Sequence, residues 1–201
     1  MDCRLYQKGL ILLVSLFCAI SVDVQSQQQW RDSLAVLNRL IRQYPGSTDL
    51  RLRKAAVNIE LQQWEYAVEE YGNVLQLDAG NLAALYYRAY ANTHLRQYAL
   101  ARQDYETLLL RVPRHFEAHL GLAYVLQKME RRTDAIDELN RTVEMFPDSA
   151  MAYATRAAYE QQLGYNDAAL YDWDEAIQRQ PHDSSLVASK AALLNSMRKK
   201  K

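Results

Sequence analysis

The chain has 201 residues, 49% of them hydrophobic, with 24 basic and 24 acidic side chains and a formal net charge of zero. This composition suits one ordinary soluble domain with a core of its own, and it excludes a general nucleic-acid binder, which needs a basic face. With only 6 glycines and 4 prolines, helix is favoured throughout and no low-complexity linker divides the chain.

Residues 1–26 read as an export leader. Arg4 and Lys8 precede an apolar run from Gly9 to Ile20, followed by a more polar stretch ending Val24-Gln25-Ser26. That is the basic, apolar and small-residue order of a secretory signal peptide. The small residues place cleavage after Ser26, with Ser21 as the second choice. A run of about twelve apolar residues falls short of the roughly twenty that a membrane span needs, and an uncleaved anchor is the competing reading. Phe17 stands where a lipoprotein box needs a small residue before Cys18, so lipidation is not expected. Cys3 and Cys18 both lie in the leader, so the mature chain is expected to hold no cysteine and no disulfide.

From residue 27 to 201 the chain repeats with a step of 34 residues. Ala55, Ala89, Ala123, Ala157 and Ala191 keep that step, as do Ala67, Ala101, Ala135 and Ala169. Pro45, Pro113, Pro147 and Pro181 share the register, with Ala79 in the slot they skip. A period of this length marks a stacked helical solenoid. In chain order the spacing gives a half-unit over 28–47, full units over 48–81, 82–115, 116–149 and 150–183, and a capping helix over 184–199. Within the unit from Leu82 to His115, Leu85, Ala89 and Asn92 mark one face of a first helix. Tyr98, Ala101, Tyr105 and Leu108 form the stripe of an amphipathic second helix. Pro113 stops it, because proline lacks the amide donor and clashes with the preceding turn.

The alanine columns are expected where the two helices of a pair cross closely and only a methyl group fits. Leu61, Leu95, Met129, Leu163 and Met197 are expected to plug the ends of the first helices. Leu37, Tyr71, Tyr105, Leu139 and Trp173 are expected to anchor the second. The half-units at either end are expected to cap the stack. The tail Arg198-Lys199-Lys200-Lys201 reads as a solubilising helix end favoured by the helix dipole, or as a weak contact for an anionic surface.

These columns resemble the tetratricopeptide repeat family, whose 34-residue unit has small residues at both crossing points and an aromatic early in the second helix. Trp64 and Tyr98 match that aromatic and Trp30 matches it loosely, while Leu77-Asp78-Ala79 nearly meets the family's aspartate-proline ending. Arg132 and Asn166 depart from the aromatic position, and His119 sits where a large apolar residue is usual. The resemblance covers residues 28 to 199. It implies an all-α, right-handed α-solenoid of antiparallel helix pairs whose first helices line a concave binding face.

Carried onto this sequence, that face includes Asp49, Leu52, Ala56, Ile59 and Glu60, then Tyr86, Tyr90, Thr93 and His94. The next two units add Glu117, Leu120, Tyr124, Gln127 and Lys128, then Met151, Ala154, Ala158, Gln161 and Gln162. Tyr86, Tyr90, His94, Tyr124, Gln127 and Lys128 are the candidate partner-binding residues. Tyrosine combines apolar area with a polar tip and few rotatable bonds, which suits a binding surface. A bland alternative is that these tyrosines fill the groove against one another. The chaperone-binding carboxylate clamp of the family is not expected. Its positions hold Leu52 and Ala56, Tyr86 and Tyr90, Leu120 and Tyr124, and Ala154 and Ala158.

Little else in the chain points to chemistry. His115 and His119 are four apart, as a metal pair on a helix would be, but no further ligand is evident and a site needs three or four. There is no GxSxG motif and no glycine-rich phosphate loop. Glu69, Glu70, Asp172, Asp174 and Glu175 read as solvated surface. The expectation is a non-catalytic scaffold without cofactor or metal, exported to the periplasm of a Gram-negative bacterium. There it would bind an extended peptide or a helix of an envelope protein. The alternative is a binder of carbohydrate or cell-wall fragments, with tyrosines stacked on sugar rings.

Overall fold

The computed structural model describes residues 27–199, and every regular element among them is helical. The leader lies outside the described residues. Helix α1 covers 27–43. It is followed by α2 (Thr48–Glu60), α3 (Trp64–Leu77), α4 (Leu82–His94), α5 (Tyr98–Arg111) and α6 (Phe116–Lys128). Helices α7 (Arg132–Met145), α8 (Ala150–Leu163), α9 (Asn166–Arg179) and α10 (Ser184–Arg198) complete the array. The residues form two compact units that divide between Ala84 and Leu85. In the first, α2 packs on α3; in the second, α6 packs on α7 and α8 on α9, with α10 against α9. The chain is all-α, as the periodicity implies.

Each helix start and stop has a cause that recurs with the repeat. The first helices are capped by Ser47, Asn81, His115, Ser149 and Asp183, whose side chains accept backbone amides of the first turn. Such caps satisfy donors that the helix itself leaves unpaired. The second helices have no such cap. They start from tight turns through Gln62, Arg96, Glu130 and Gly164, all left-handed with φ of 55°, 58°, 59° and 85°. The prolines follow the second helices, where the residue before a proline is pushed out of helical conformation.

The crossing alanines behave as expected in every complete pair. Ala55, Ala89, Ala157, Ala67, Ala101, Ala135 and Ala169 are wholly buried, and Ala123 nearly so. Ala191 is the exception and is exposed, because among the described residues no second helix follows α10. The anchor column Leu37, Tyr71, Tyr105, Leu139 and Trp173 is buried throughout. The plug column is only half-buried at Leu61, Leu95, Met129, Leu163 and Met197, since these residues close helix ends at the rim of the core.

Glu70 and Asp172 correct the surface reading of the carboxylates. Both are buried, with Asp104 and Glu138 at the same repeat position. Each faces a cation from the first helix of its own pair. Lys54 binds Glu70 at 2.8 Å, Arg88 clamps Asp104 through two bonds of 2.7 and 2.8 Å, and Arg156 clamps Asp172 at 2.6 and 2.8 Å. The hydrogen bond to Asp104 holds Arg88 charged, and that to Asp172 does the same for Arg156. Removing one member of such a pair leaves a buried charge alone, at a cost of about 3–5 kcal/mol. Asp174 and Glu175 are half-buried, bonded to Lys190 and Arg179, and only Glu69 is fully exposed.

In the third pair Leu122 stands in the cation column, and His119, one turn earlier, serves Glu138 instead. Its other ring nitrogen faces the carbonyl of Pro113 at 2.8 Å. Only the imidazolium donates to both acceptors at once. Burial opposes that charge, but the bonds to Glu138 and Pro113 outweigh it and raise the histidine above its ordinary value.

Glu160, buried at the end of α8, has one carboxylate oxygen without a hydrogen-bond partner in the protein. Burial and then Asp172 push its pKa up to about 7, against the opposing effect of Arg156. Both Glu160 and His119 are raised, so the stability each contributes is full below its unfolded pKa and is lost as pH rises through its folded one. For Glu160 that window runs from about 4.5 to about 7. The melting temperature is expected to fall between pH 5 and pH 8. Glu160→Gln should flatten most of that slope and melt higher than the parent at pH 8, as measured by circular dichroism.

Candidate functional site

A cleft of about 850 Å³ opens in the second unit, and helices of the first type supply most of its wall. Helix α4 contributes Tyr86, Tyr90, Thr93 and His94, spaced i, i+4, i+7 and i+8 along a single face. Helix α6 contributes Phe116, Glu117, Leu120, Tyr124 and Lys128, and Met151 comes from α8. The turn residue Arg96 and the second-type helix α5, through Tyr98 and Tyr105, complete the lining.

Tyr105 is packed over Gly121, where a Cβ would lie 2.5 Å from the ring carbon that bears the hydroxyl. Glycine is therefore required in the middle of α6 for the ring to enter. The Tyr86 ring meets Tyr105 edge-on at 6.0 Å and stacks on His115 at 5.3 Å. Tyr90 stands edge-on to His94 at 4.6 Å, and the Lys128 ammonium lies 5.1 Å over the Tyr124 ring. Burial pushes the phenols of Tyr86 and Tyr105 up, and for Tyr86 the charge of Glu117 adds to it. The hydroxyls of both therefore stay neutral in ordinary solution. The result is an apolar, aromatic floor with Arg96 and Lys128 as fixed cations and Glu117 as an acid.

Five of the six candidate residues line this cleft: Tyr86, Tyr90, His94, Tyr124 and Lys128. Gln127 does not. Its side chain donates to Gln162 on α8, a ladder between equivalent faces of successive first helices. Of the wider face, Thr93, Glu117, Leu120 and Met151 also reach the cleft. Asp49 instead makes a surface ion pair with Arg53. Arg96, Tyr98, Tyr105, Phe116 and Gly121 were not foreseen. A lone glycine within a helical stretch is the sequence signal that would have found the last, since it marks a close approach.

The histidine pair does not act as one site. His115 caps α6, its Nδ1 accepting from the Ala118 amide at 3.3 Å, and His119 is engaged with Glu138 and Pro113. No cluster of three or more potential metal ligands occurs among the described residues.

Two family models, each described as tetratricopeptide repeat, match residues 92–159 and 22–47. These matches, with the solved structures that share its fold, support a tetratricopeptide repeat protein. Solved structures share its fold. A tetratricopeptide repeat protein from Parabacteroides merdae gives a TM-score of 0.74 at 21% identity, covering 89% of this chain and 73% of that one. MamA gives 0.72 at 16% identity, with 80% and 94% covered. YrrB, described as having an unusual peptide-binding site, gives 0.68 at 17% identity, with 83% and 86% covered. These likenesses support an all-α solenoid of tetratricopeptide type. Among curated proteins, the serine/threonine-protein phosphatase T of Aspergillus oryzae is 26% identical over 108 residues. That match spans 54% of this chain and 22% of the phosphatase. Tetratricopeptide repeat proteins are generally scaffolds for protein–protein interaction rather than catalysts, and the fold suggests protein partners here.

The Tyr105–Gly121 contact yields a test of the cleft's construction. Gly121→Val is expected to lower unfolding stability by about 1–3 kcal/mol, the usual cost of overpacking. Combined with Tyr105→Leu, the loss should be markedly less than the sum, as a urea-denaturation double-mutant cycle would measure.

Proposed function

We propose that this protein is an exported, non-catalytic adaptor of a bacterial cell envelope that holds a partner's extended peptide or helix in the tyrosine-lined cleft. The observation that carries the reading is the placement of partly exposed aromatic rings on one concave lining with cations beside them. Tyr90 and Tyr124 are 36% and 47% exposed, and both line the cleft. Aromatic residues in partly enclosed surfaces are where binding energy concentrates. Arg96 and Lys128 supply donors for a carbonyl or carboxylate of the partner. YrrB, with its peptide-binding site, supports the same use of this fold.

The leader over residues 1–26 is the basis for export, with cleavage after Ser26 and a periplasmic location. No helix among the described residues is long and apolar enough to cross a membrane.

The Tyr90→Ala, Tyr124→Ala double variant is expected to weaken partner capture by at least about thirtyfold, because a buried aromatic anchor contributes about 2 kcal/mol or more. The measurement is crosslinking in the envelope followed by mass spectrometry, after circular dichroism has shown the variant folded. Recovery of the same envelope proteins at parental yield would defeat the reading. A melting shift with glycans or muropeptides, absent with peptides, would favour the carbohydrate alternative.

A further inference from the structure

The repeat leaves each end of the described array with one half of a helix pair. Helix α1 is of the second type and α10 is of the first type, judged by their place in the 34-residue register. In α10, Val187 and Leu194 are 48% and 37% exposed, and Ala191 between them is also exposed. The equivalent residues of the third and fourth pairs are all buried, His119, Ala123 and Leu126 in one and Tyr153, Ala157 and Glu160 in the other. Among the described residues nothing covers this stripe.

Helix α1 shows the complementary deficit. Val36 is 53% exposed, although its equivalents Glu70, Asp104, Glu138 and Asp172 are buried. Ser33 holds the small-residue position of the second helices, in register with Ala67, and is only half-buried. Alongside runs a groove of about 820 Å³ between α1 and α2, with Val36, Leu37, Leu40, Leu50 and Val57 in its wall. A first-type helix is what would pack on α1 at that place.

We propose that α10 of one molecule seats in the α1–α2 groove of a second copy, completing a helix pair between chains. The contact continues, from one molecule to the next, the interface that α2 with α3, α6 with α7 and α8 with α9 build within the chain. Ala191 meets Ser33 as the crossing pair, so the backbones approach as closely as they do within a unit. Val187 and Leu194 then cover the apolar wall at Val36 and Leu40. Lys190, the cation of this register, needs no acid on α1, because it is already held by Asp174 of its own chain. The two surfaces differ, so the association is heterologous, head to tail.

Sedimentation equilibrium of the full chain, purified as the cell leaves it, is expected to show concentration-dependent self-association. Ser33→Arg and Ala191→Arg each place a large charge at one crossing position, and both sites are uncovered in the single chain. Each variant should therefore melt like the parent and lose self-association by at least tenfold. Mixed together they should form a 1:1 complex and nothing larger, since one variant keeps a sound α10 and the other a sound α1. A parental monomer at all concentrations would overturn the proposal, as would either variant assembling alone, because that is like-with-like pairing. Crosslinks from the groove to residues 1–26 or to another protein, in place of α10, would overturn it as well.

Discussion

The close crossing of the two helices in each pair is the constraint on which the rest depends. At the crossing both helices contribute an alanine with almost no exposed surface, so the separation of the helices is set by two methyl groups. A larger residue there would push the helices apart or force strained rotamers. That separation brings the acid of each second helix within hydrogen-bond reach of a basic group on the first. Between successive pairs, Tyr105 of α5 presses onto the bare backbone of Gly121 in α6.

Division of labour along the repeat follows from this geometry. In the complete pairs the buried columns keep their chemical type, alanine at the crossing, a large apolar or aromatic anchor and a carboxylate, because each fills a space fixed by its neighbours. Caps and left-handed turns recur at fixed positions for the same local reason. The outward side chains of the first helices escape these demands. In the second unit, Tyr86, Tyr90, Tyr124 and Lys128 stand at such positions, and the cleft is made of them. The scaffold is thus set by what repeats and the lining of the cleft by what does not. In the third pair, where Leu122 stands in the cation column, His119 one turn earlier supplies the buried partner of Glu138, and an imidazole titrates where lysine and arginine stay charged.

Much of the fold was legible because alanine, proline and helical spacing leave a period in one dimension. The ladder of buried pairs was also written there, as Lys54 against Glu70, Arg88 against Asp104 and Arg156 against Asp172, each 16 residues apart. It went unread because charged residues are expected at the surface, and Glu70 and Asp172 were placed there. Burial depends on which partner lies across the helix pair, and that partner is 16 residues away. The cleft was partly legible, since helical spacing put Tyr86, Tyr90 and His94 on one face. Tyr105, Phe116 and Gly121 were not visible as its lining, because their approach is a property of packing between α5 and α6 rather than of either helix. Gln127 lies outside the cleft lining, its side chain bonded to Gln162 on the neighbouring first helix.

Ala123 and Ala191 occupy the same position in two first helices, one buried in a complete pair and the other exposed on α10. Urea unfolding of Ala123→Leu and Ala191→Leu, at a concentration where the chain is monomeric, therefore isolates the crossing constraint from residue type. Ala123→Leu is expected to lose about 1–3 kcal/mol by overpacking, whereas Ala191→Leu should stay within about 0.5 kcal/mol of the parent. Equal effects at the two positions, or none at Ala123, would contradict the role assigned to the crossing alanines.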